Sequence, residues 1–427
     1  MSYRLAVLAL VSCLSPAAAD GPLTIDLKQA IELARKNSPQ LQSATIDSIL
    51  AREDRVQARA AMLPSLSYDN AFIYTQPKGP DSWVFVSNDG THVYNSQATV
   101  HGDIFAPGKR AEYRRAQAAE AVAKAKVDIA DRGLVATVVQ DYYAVAAAGR
   151  KAANAVRAVD EARRFLDITT KQERAGEAAH SDVLKAEIVL QQRERDGREA
   201  ALAVEKSRIA LGVLLFTDYT KDFSVVDDLD SLPPLPALDD VRLRAKDSPE
   251  VRAARAAVQQ EESGIASARS GMLPSLGVDY LYGINANQFA IYDPEHFKNL
   301  GSSFAVGLTI PIFDWGAARS RVRQARMRRD QANLELKFSQ KQLAANLDSY
   351  YAEAEAARAE IDSLRHSLDL AADSLRLTTL RYEAGEVSVL EVVDAQSTLV
   401  DARNACDDGL ARYRLALANL QTLTGTY

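Results

Sequence analysis

The pentapeptide Met62-Leu63-Pro64-Ser65-Leu66 recurs as Met272-Leu273-Pro274-Ser275-Leu276, 210 residues further on (272 − 62 = 210). The same offset carries Lys36-Asn37-Ser38-Pro39 onto Lys246-Asp247-Ser248-Pro249. Two matches in one register, about half a chain apart, mark an internal duplication. No other feature restricts the fold as much, because whatever one half builds, the other must build again. Each copy follows the same order. A helical apolar period runs into Leu-Pro, where proline lacks an N–H and drives the preceding residue to an extended conformation. An alternating, strand-like segment follows. Each half is therefore a helix that turns a sharp corner into a strand.

The chain has 427 residues with a net charge of −6, which argues against bulk binding of nucleic acid. Its 20 glycines and 14 prolines suit long helices better than an all-β protein. Residues 1–19 read as a secretory signal peptide: Arg4, the apolar run Leu5 to Leu14, and Ala17-Ala18-Ala19 before Asp20 as the cleavage site. Leu10-Val11-Ser12-Cys13 also reads as a lipobox with Cys13 as a lipidated N-terminus, but the segment lengths favour cleavage after Ala19. Past that point the one cysteine is Cys406, so neither an intramolecular disulfide nor a cysteine metal cluster is expected. No later segment approaches the roughly 18 apolar residues of a spanning helix, so any membrane crossing falls to strands.

The first repeat, residues 20–216, opens with a helical pattern from Ile25 to Met62 that Asp26 or Thr24 can cap and Pro39 kinks or interrupts. Strands are expected over 65–76 and 93–105. In the first, Leu66, Tyr68, Phe72 and Tyr74 share a face, with Asp69 opposite. In the second, Ser96, Ala98, Val100 and Ile104 face away from Asn95, Gln97, Thr99, His101 and Asp103. This is the dyad pattern of a half-buried or lipid-facing strand. A helix from about Ala111 to Thr170 follows, roughly 90 Å at 1.5 Å per residue, too long for an ordinary globular core. After a turn at Ala175-Gly176 comes a helix over about Ser181 to Leu215. Residues 217–237 read as an acidic, proline-rich linker.

The second repeat, residues 238–427, repeats the scheme. A helix is expected to Met272, strands over 275–286 and 302–313, a long helix over Ala317 to Thr379, and a last helix from Ser388 to about Thr424. Phe304, Val306, Leu308, Ile310 and Ile312 give the cleanest alternation in the chain. Four strands with one apolar face cannot close a barrel, and an open edge is not tolerated in lipid. Closure takes about eight strands or more. Two copies would give eight and three would give twelve, and the strand count alone does not choose.

The layout resembles the TolC family of outer-membrane efflux channels. The resemblance is carried by Leu23-Thr24-Ile25-Asp26-Leu27-Lys28-Gln29-Ala30, the two Leu-Pro-Ser-Leu corners, Pro311-Ile312-Phe313-Asp314-Trp315-Gly316, and the stretch Arg381-Tyr382-Glu383-Ala384-Gly385 running on to Gln396. It implies a mainly α protein with a membrane β-barrel part. In the family, four strands per chain contribute to a shared 12-stranded outer-membrane barrel, and a long α-helical barrel crosses the periplasm. It also implies a homotrimer, a periplasmic membrane-fusion adaptor, and an inner-membrane transporter of RND, ABC or MFS type. On this reading the chain is the passive exit duct of a tripartite efflux or type I secretion system. The rival is an elongated periplasmic coiled-coil adaptor or structural protein without a channel, which leaves the two amphipathic strand pairs unexplained.

Glu391 and Asp394 lie three apart on one helix face, and in the family acidic residues at the matching positions line the constriction. Ser388-x-x-Glu391 is equally a capping box, in which the carboxylate satisfies the helix start. Tyr382 and Asp182 match a family gate that tethers neighbouring helices; Val387 stands where the family has an arginine. Lys109 and Arg110 after the second strand, and Arg319, Arg321 and Arg323 after the fourth, fall where barrel meets helix, and contact with lipid phosphates is expected there. The five histidines have no metal-ligand spacing, and no phosphate loop or nucleophile–base pattern occurs, so neither metal, cofactor nor catalysis is expected.

Overall fold

A computed structural model of the protein describes residues 23–74 and 92–425. The signal-peptide reading, Cys13, and residues 75–76 of the first expected strand lie outside them. The elements run β1 (Leu23–Ile25), α1 (Leu27–Asn37), α2 (Pro39–Ala60), β2 (Ser65–Tyr74), β3 (His92–Phe105), α3 (Pro107–Ala175) and α4 (His180–Leu215), then β4 (Phe223–Val225), α5 (Leu238–Ala245), α6 (Pro249–Ser270), β5 (Ser275–Ala286), β6 (Leu300–Thr309), α7 (Ala317–Glu383) and α8 (Val389–Thr424). The duplication shows in the helix lengths: α2 and α6 each hold 22 residues and α4 and α8 each hold 36, while α3 and α7 hold 69 and 67. No helix among the described residues is long and apolar enough to cross a membrane.

The structure revises several boundaries. Of the two outcomes expected at Pro39, a kink or an interruption, the structure shows the interruption: residues 27–60 form two helices, and so does the counterpart at Pro249. Ser38 accepts from Leu41 N at 3.3 Å and Ser248 from Val251 N at 3.4 Å, with Pro39 and Pro249 at the first helical position. A serine cap followed by proline starts a new helix rather than bending an old one. Likewise the long helix expected from about Ala111 begins at Pro107, which sits in its first turn. At the start of α1, Asp26 Oδ1 accepts from Gln29 N at 2.7 Å while Gln29 Oε1 accepts from Asp26 N at 3.2 Å, a reciprocal capping box. The strand expected over 302–313 is Leu300–Thr309. Its partner β5 begins at Ser275, opposite Thr309, so Ile310–Phe313 have no strand beside them among the described residues.

Two compact units divide the chain, each drawing on both repeats. The unit of residues 38–136, 234–356 and 416–427 holds an antiparallel sheet in the order β2-β3-β5-β6. Cross-strand neighbours form rows such as Leu66–Val100–Tyr280–Phe304 on one face and Ser67–Thr99–Leu281–Ser303 on the other. The apolar face is uncovered: Leu66 is 74% and Phe304 68% exposed. On the opposite face His101 Nδ1 meets Asp279 Oδ1 at 2.6 Å, and Asp103 pairs with Lys109. The two middle strands approach so closely that a Cβ on Gly283 would stand 2.2 Å from the Ser96 carbonyl, leaving room for glycine alone. Away from the sheet, Val241, Ala245, Leu347, Ala354, Ala416 and Leu420 form a small helical core.

The unit of residues 23–37, 137–233 and 357–415 is built around a two-stranded parallel sheet of β1 and β4 that the sequence reading does not foresee. Tyr142, fully buried on α3, donates to the Val226 carbonyl at 2.7 Å, with the Ile25 carbonyl 3.4 Å away. Burial pushes the Tyr142 hydroxyl far above its ordinary pKa and that of its neighbour Tyr143 up to about 12. The acidic stretch read as a linker is pinned. Arg150 grips Asp227 with two bonds, at 2.6 and 2.8 Å, and reaches Asp230 at 2.8 Å and Asp407 at 3.3 Å. Arg414 pairs with Asp228, and Tyr413 donates to the Pro233 carbonyl.

Candidate functional site

Two helical hairpins end side by side in this second unit. Glu177 N bonds to Gln172 O at 2.8 Å and Glu386 N to Arg381 O at 2.9 Å, closing the same six-residue cap at both. Gly176 and Gly385 take the left-handed conformation (φ 80° and 74°) that such caps require. Phe165 and Ala186 of one hairpin pack with Tyr382, Val389 and Val392 of the other. The Phe165 and Tyr382 rings meet edge to face with centroids 5.1 Å apart. Gln172 Nε2 adds a tether to the Tyr382 carbonyl at 3.3 Å.

Of the residues singled out from sequence, Tyr382 is buried here, and its hydroxyl has no hydrogen-bond partner among the described residues. Asp182 is not brought to it; it pairs with Lys185 at 3.4 Å in the first turn of α4. Val387, at the position of the family's arginine, packs half-buried against the apolar cluster. Helix α8 buries Val389, Val392, Ala395 and Leu399 and leaves Glu391, Asp394, Thr398 and Asp401 exposed. The two acidic residues thus share a free face, as their spacing requires. Glu391 Oε1 also accepts from Ser388 N at 3.4 Å and from Ser388 Oγ at 3.5 Å, so the carboxylate half of the capping box forms, while Glu391 N bonds to the Ser388 carbonyl at 3.1 Å. Among the described residues no cluster of histidine, cysteine and carboxylate side chains is arranged to hold a metal ion.

The second group of residues lies where strands pass into helices. Lys109 is held by Asp103, while Arg110, Arg319 and Arg323 are exposed and Arg321 stands 3.7 Å from Asp314. Asp314 accepts from Gly316 N at 3.1 Å and Ala318 N at 2.6 Å, capping α7. The turn it closes holds Trp315 at φ 58°, a conformation a bulky residue adopts only when its surroundings impose it. Trp315 is 91% exposed, edge to face with Phe313 at 4.8 Å. The sequence reading uses this stretch only for the resemblance. Its signal was a tryptophan beside an arginine run, the composition of a membrane-interface segment.

Residues 30–215 and 242–426 match the family model described as outer membrane efflux protein. The chain is 26% identical over 392 residues to the cobalt-zinc-cadmium resistance protein CzcC of Cupriavidus metallidurans, covering 91% of this chain and 86% of that one. It is 27% identical over 420 residues to the protein CyaE of Bordetella pertussis, covering 96% and 85%. Its fold is similar to that of the outer membrane protein VceC of Vibrio cholerae, with a TM-score of 0.83 at 18% identity over 93% of this chain and 96% of that one.

Proposed function

Because the chain belongs to the outer membrane efflux protein family, we propose that it is the passive outer-membrane duct of a tripartite efflux or type I secretion system. The observation that carries this reading is the four-stranded sheet with one uncovered apolar face, one polar face, and an open edge at β2 and at β6. In lipid such edges must be paired. Three copies would join them into a 12-stranded barrel whose apolar face meets acyl chains and whose polar face lines a water-filled pore. The helices continue the pore into the periplasm, where an adaptor links it to an inner-membrane transporter of RND, ABC or MFS type. The duct itself does no chemistry. The test is to reconstitute the detergent-purified protein in planar bilayers: discrete conductance steps are expected, and their absence would return the adaptor reading. The resistance named for one relative makes cobalt, zinc and cadmium the first cargoes to test in a deletion strain, beside a panel of organic toxins.

The hairpin ends are the pore constriction on this reading. Glu391 and Asp394, on the free face of α8, form rings of carboxylates that favour cations. Tyr382 and Asp182 stabilise the closed arrangement of neighbouring tips. In bilayer recordings under a KCl gradient, Glu391→Gln with Asp394→Asn moves the reversal potential toward zero, and Tyr382→Phe raises conductance. Unchanged reversal and conductance would remove these residues from the constriction.

Lys109, Arg110, Arg319, Arg321 and Arg323, with Trp315 beside them, take the level of the inner-leaflet phosphates. Changing all five cations to glutamine is expected to lower the midpoint of heat dissociation of the oligomer in vesicles rich in anionic lipid, with little change in zwitterionic lipid. An equal shift in both lipids would point to folding rather than headgroup contact.

A further inference from the structure

The two repeats already meet inside one chain, and their seam is visible. β3, the second strand of the first repeat, pairs antiparallel with β5, the first strand of the second. β6 and β2 hold the same repeat positions but stand at the two open edges. The repeat offsets let the internal seam be carried onto them. β2 maps onto β5 by 210 residues, Ser65 to Ser275. β3 maps onto β6 by 208, because Ser65 opposes His101 and Ser275 opposes Thr309 (309 − 101 = 208). Ile104-Phe105 and Ile312-Phe313 share that 208-residue offset, an independent check from sequence. Opposed residues of the internal seam sum to 380, as Val100 with Tyr280 does, so the corresponding sum for β6 with β2 is 378 (380 + 208 − 210).

Resting on the shared-barrel reading and specifying its seam, we propose that β6 of one copy pairs antiparallel with β2 of the next in this register. Leu308 then opposes Asn70, Val306 opposes Phe72 and Ile310 opposes Tyr68. Three features of the chain support it. Gly102–Phe105 of β3 run past the last β2 pair, Ser65 with His101, and pair with β5 alone, with a bulge between Asp103 and Phe105. Ile310–Phe313 run past the end of β5 in the same manner and pair with no strand among the described residues. In the transferred register they reach Tyr68, Ser67 and Leu66, with Ile312 as the bulge residue, which explains why the apolar alternation continues past Thr309.

Parity gives the second support: the register places the apolar faces of β6 and β2 side by side, whereas a slip of one residue would put one of them on the polar face. The third is exposure. β5, flanked on both sides, is mostly half-buried, whereas its repeat counterpart β2 is exposed at every residue. Gly108 lies against Ser270, with a built Cβ 2.9 Å from Oγ. The same transfer sets Gly316 against Ala60 of the neighbouring copy, so the Trp315 corner packs at the seam. A path straight across the sheet runs Leu66, Val100, Tyr280, Phe304 and then Tyr74 of the next copy, eight residues along β2 (74 − 66 = 8). That stagger demands steeply tilted strands and a wide barrel.

The test is disulfide trapping in the full-length protein in native membranes, in a Cys406→Ser background, with copper–phenanthroline as oxidant. Leu308→Cys/Asn70→Cys and Gly307→Cys/Ala71→Cys are compared with the shifted pairs Leu308→Cys/Tyr68→Cys and Leu308→Cys/Phe72→Cys. Opposed residues fall within disulfide reach and positions two residues off, at about 7–8 Å, fall outside it. Covalent dimers and trimers are expected from at least one opposed pair, at ten-fold or greater yield over the shifted pairs. Cross-linking of a shifted pair instead would overturn the register and leave the shared barrel standing. If no pair links copies while the internal control Val100→Cys/Tyr280→Cys closes, both fall. Deuterium exchange of the unmodified oligomer gives a reading without substitutions: residues 310–313 should be as protected as 102–105, and fast exchange there would overturn the seam.

Discussion

Val306→Arg leaves little or no protein in the outer-membrane fraction. Val306 stands beside Val278 on the uncovered apolar face of the sheet. A charged side chain on the lipid face of a barrel costs about 2–4 kcal/mol at mid-membrane, and three copies incur it together. The control is Ser303→Arg, three residues away on the opposite face, where the guanidinium projects into water and insertion should proceed normally. Fractionation with heat-sensitive migration of the oligomer on SDS gels reads both. Equal insertion of the two variants would mean that this face does not meet lipid, and the channel reading would lose its physical basis.

Arg150→Met destabilises the helical unit by about 3 kcal/mol. Arg150 joins α3 to the segment after β4 and to α8 through Asp227, Asp230 and Asp407. Removing one member of a partly buried charge cluster leaves the others unpaired, at about 3–5 kcal/mol for fully buried groups. The lower figure applies because Asp230 is well solvated, with a side chain 72% exposed, and Asp407 keeps a bond from Asn154 at 2.8 Å. The pH dependence follows from Asp230, which the guanidinium holds below the usual carboxylate range, chiefly through its hydrogen bond. A depressed carboxylate contributes stability above its unfolded pKa and loses it as pH falls through the folded value. The gap between wild type and variant should therefore be full at neutral pH and shrink below about pH 4. Denaturant unfolding across pH checks this; a gap that does not change with pH would mean the arginine acts by packing alone.

Much of the architecture was legible because its signals are periodic and repeated. The 210-residue offset, the Leu-Pro corners and the alternation from Phe304 onward fixed four strands and their faces. The misses share one physical origin, which is that their cause lies elsewhere in the chain. β1 and β4 are three residues each, too short for any period, and form because Tyr142 and the surrounding apolar residues bury them. The run Asp227, Asp228 and Asp230 looks like a solvated linker until Arg150 and Arg414, 77 and 186 residues away, close on it. The choice between a kink and a break at Pro39, left open by the proline alone, is decided locally, since a serine cap and a first-turn proline together specify a helix start.

At the hairpin ends the helix faces were legible in the sequence, and the bonding less so. Glu391 and Asp394 share the exposed face their spacing requires, and Glu391 accepts from Ser388 N as the carboxylate half of a capping box. Tyr382 and Asp182 are a separate matter. Within one chain the tyrosine is packed on Phe165 and the aspartate is paired with Lys185, so any bond between tips belongs to the assembly, where a single sequence offers no register. Val387 shows the same limit from the other side. Its sequence position marks a departure from the family, and its packing against Tyr382 and Val389 follows only from the fold.

The central claim is that this sheet is one third of a closed cylinder in lipid. Light scattering coupled to size exclusion of the detergent-purified protein, corrected for bound detergent, tests it most directly. The protein mass should equal three chains, and removing detergent should precipitate it. A particle of one chain that stays dispersed in plain buffer would contradict the claim outright.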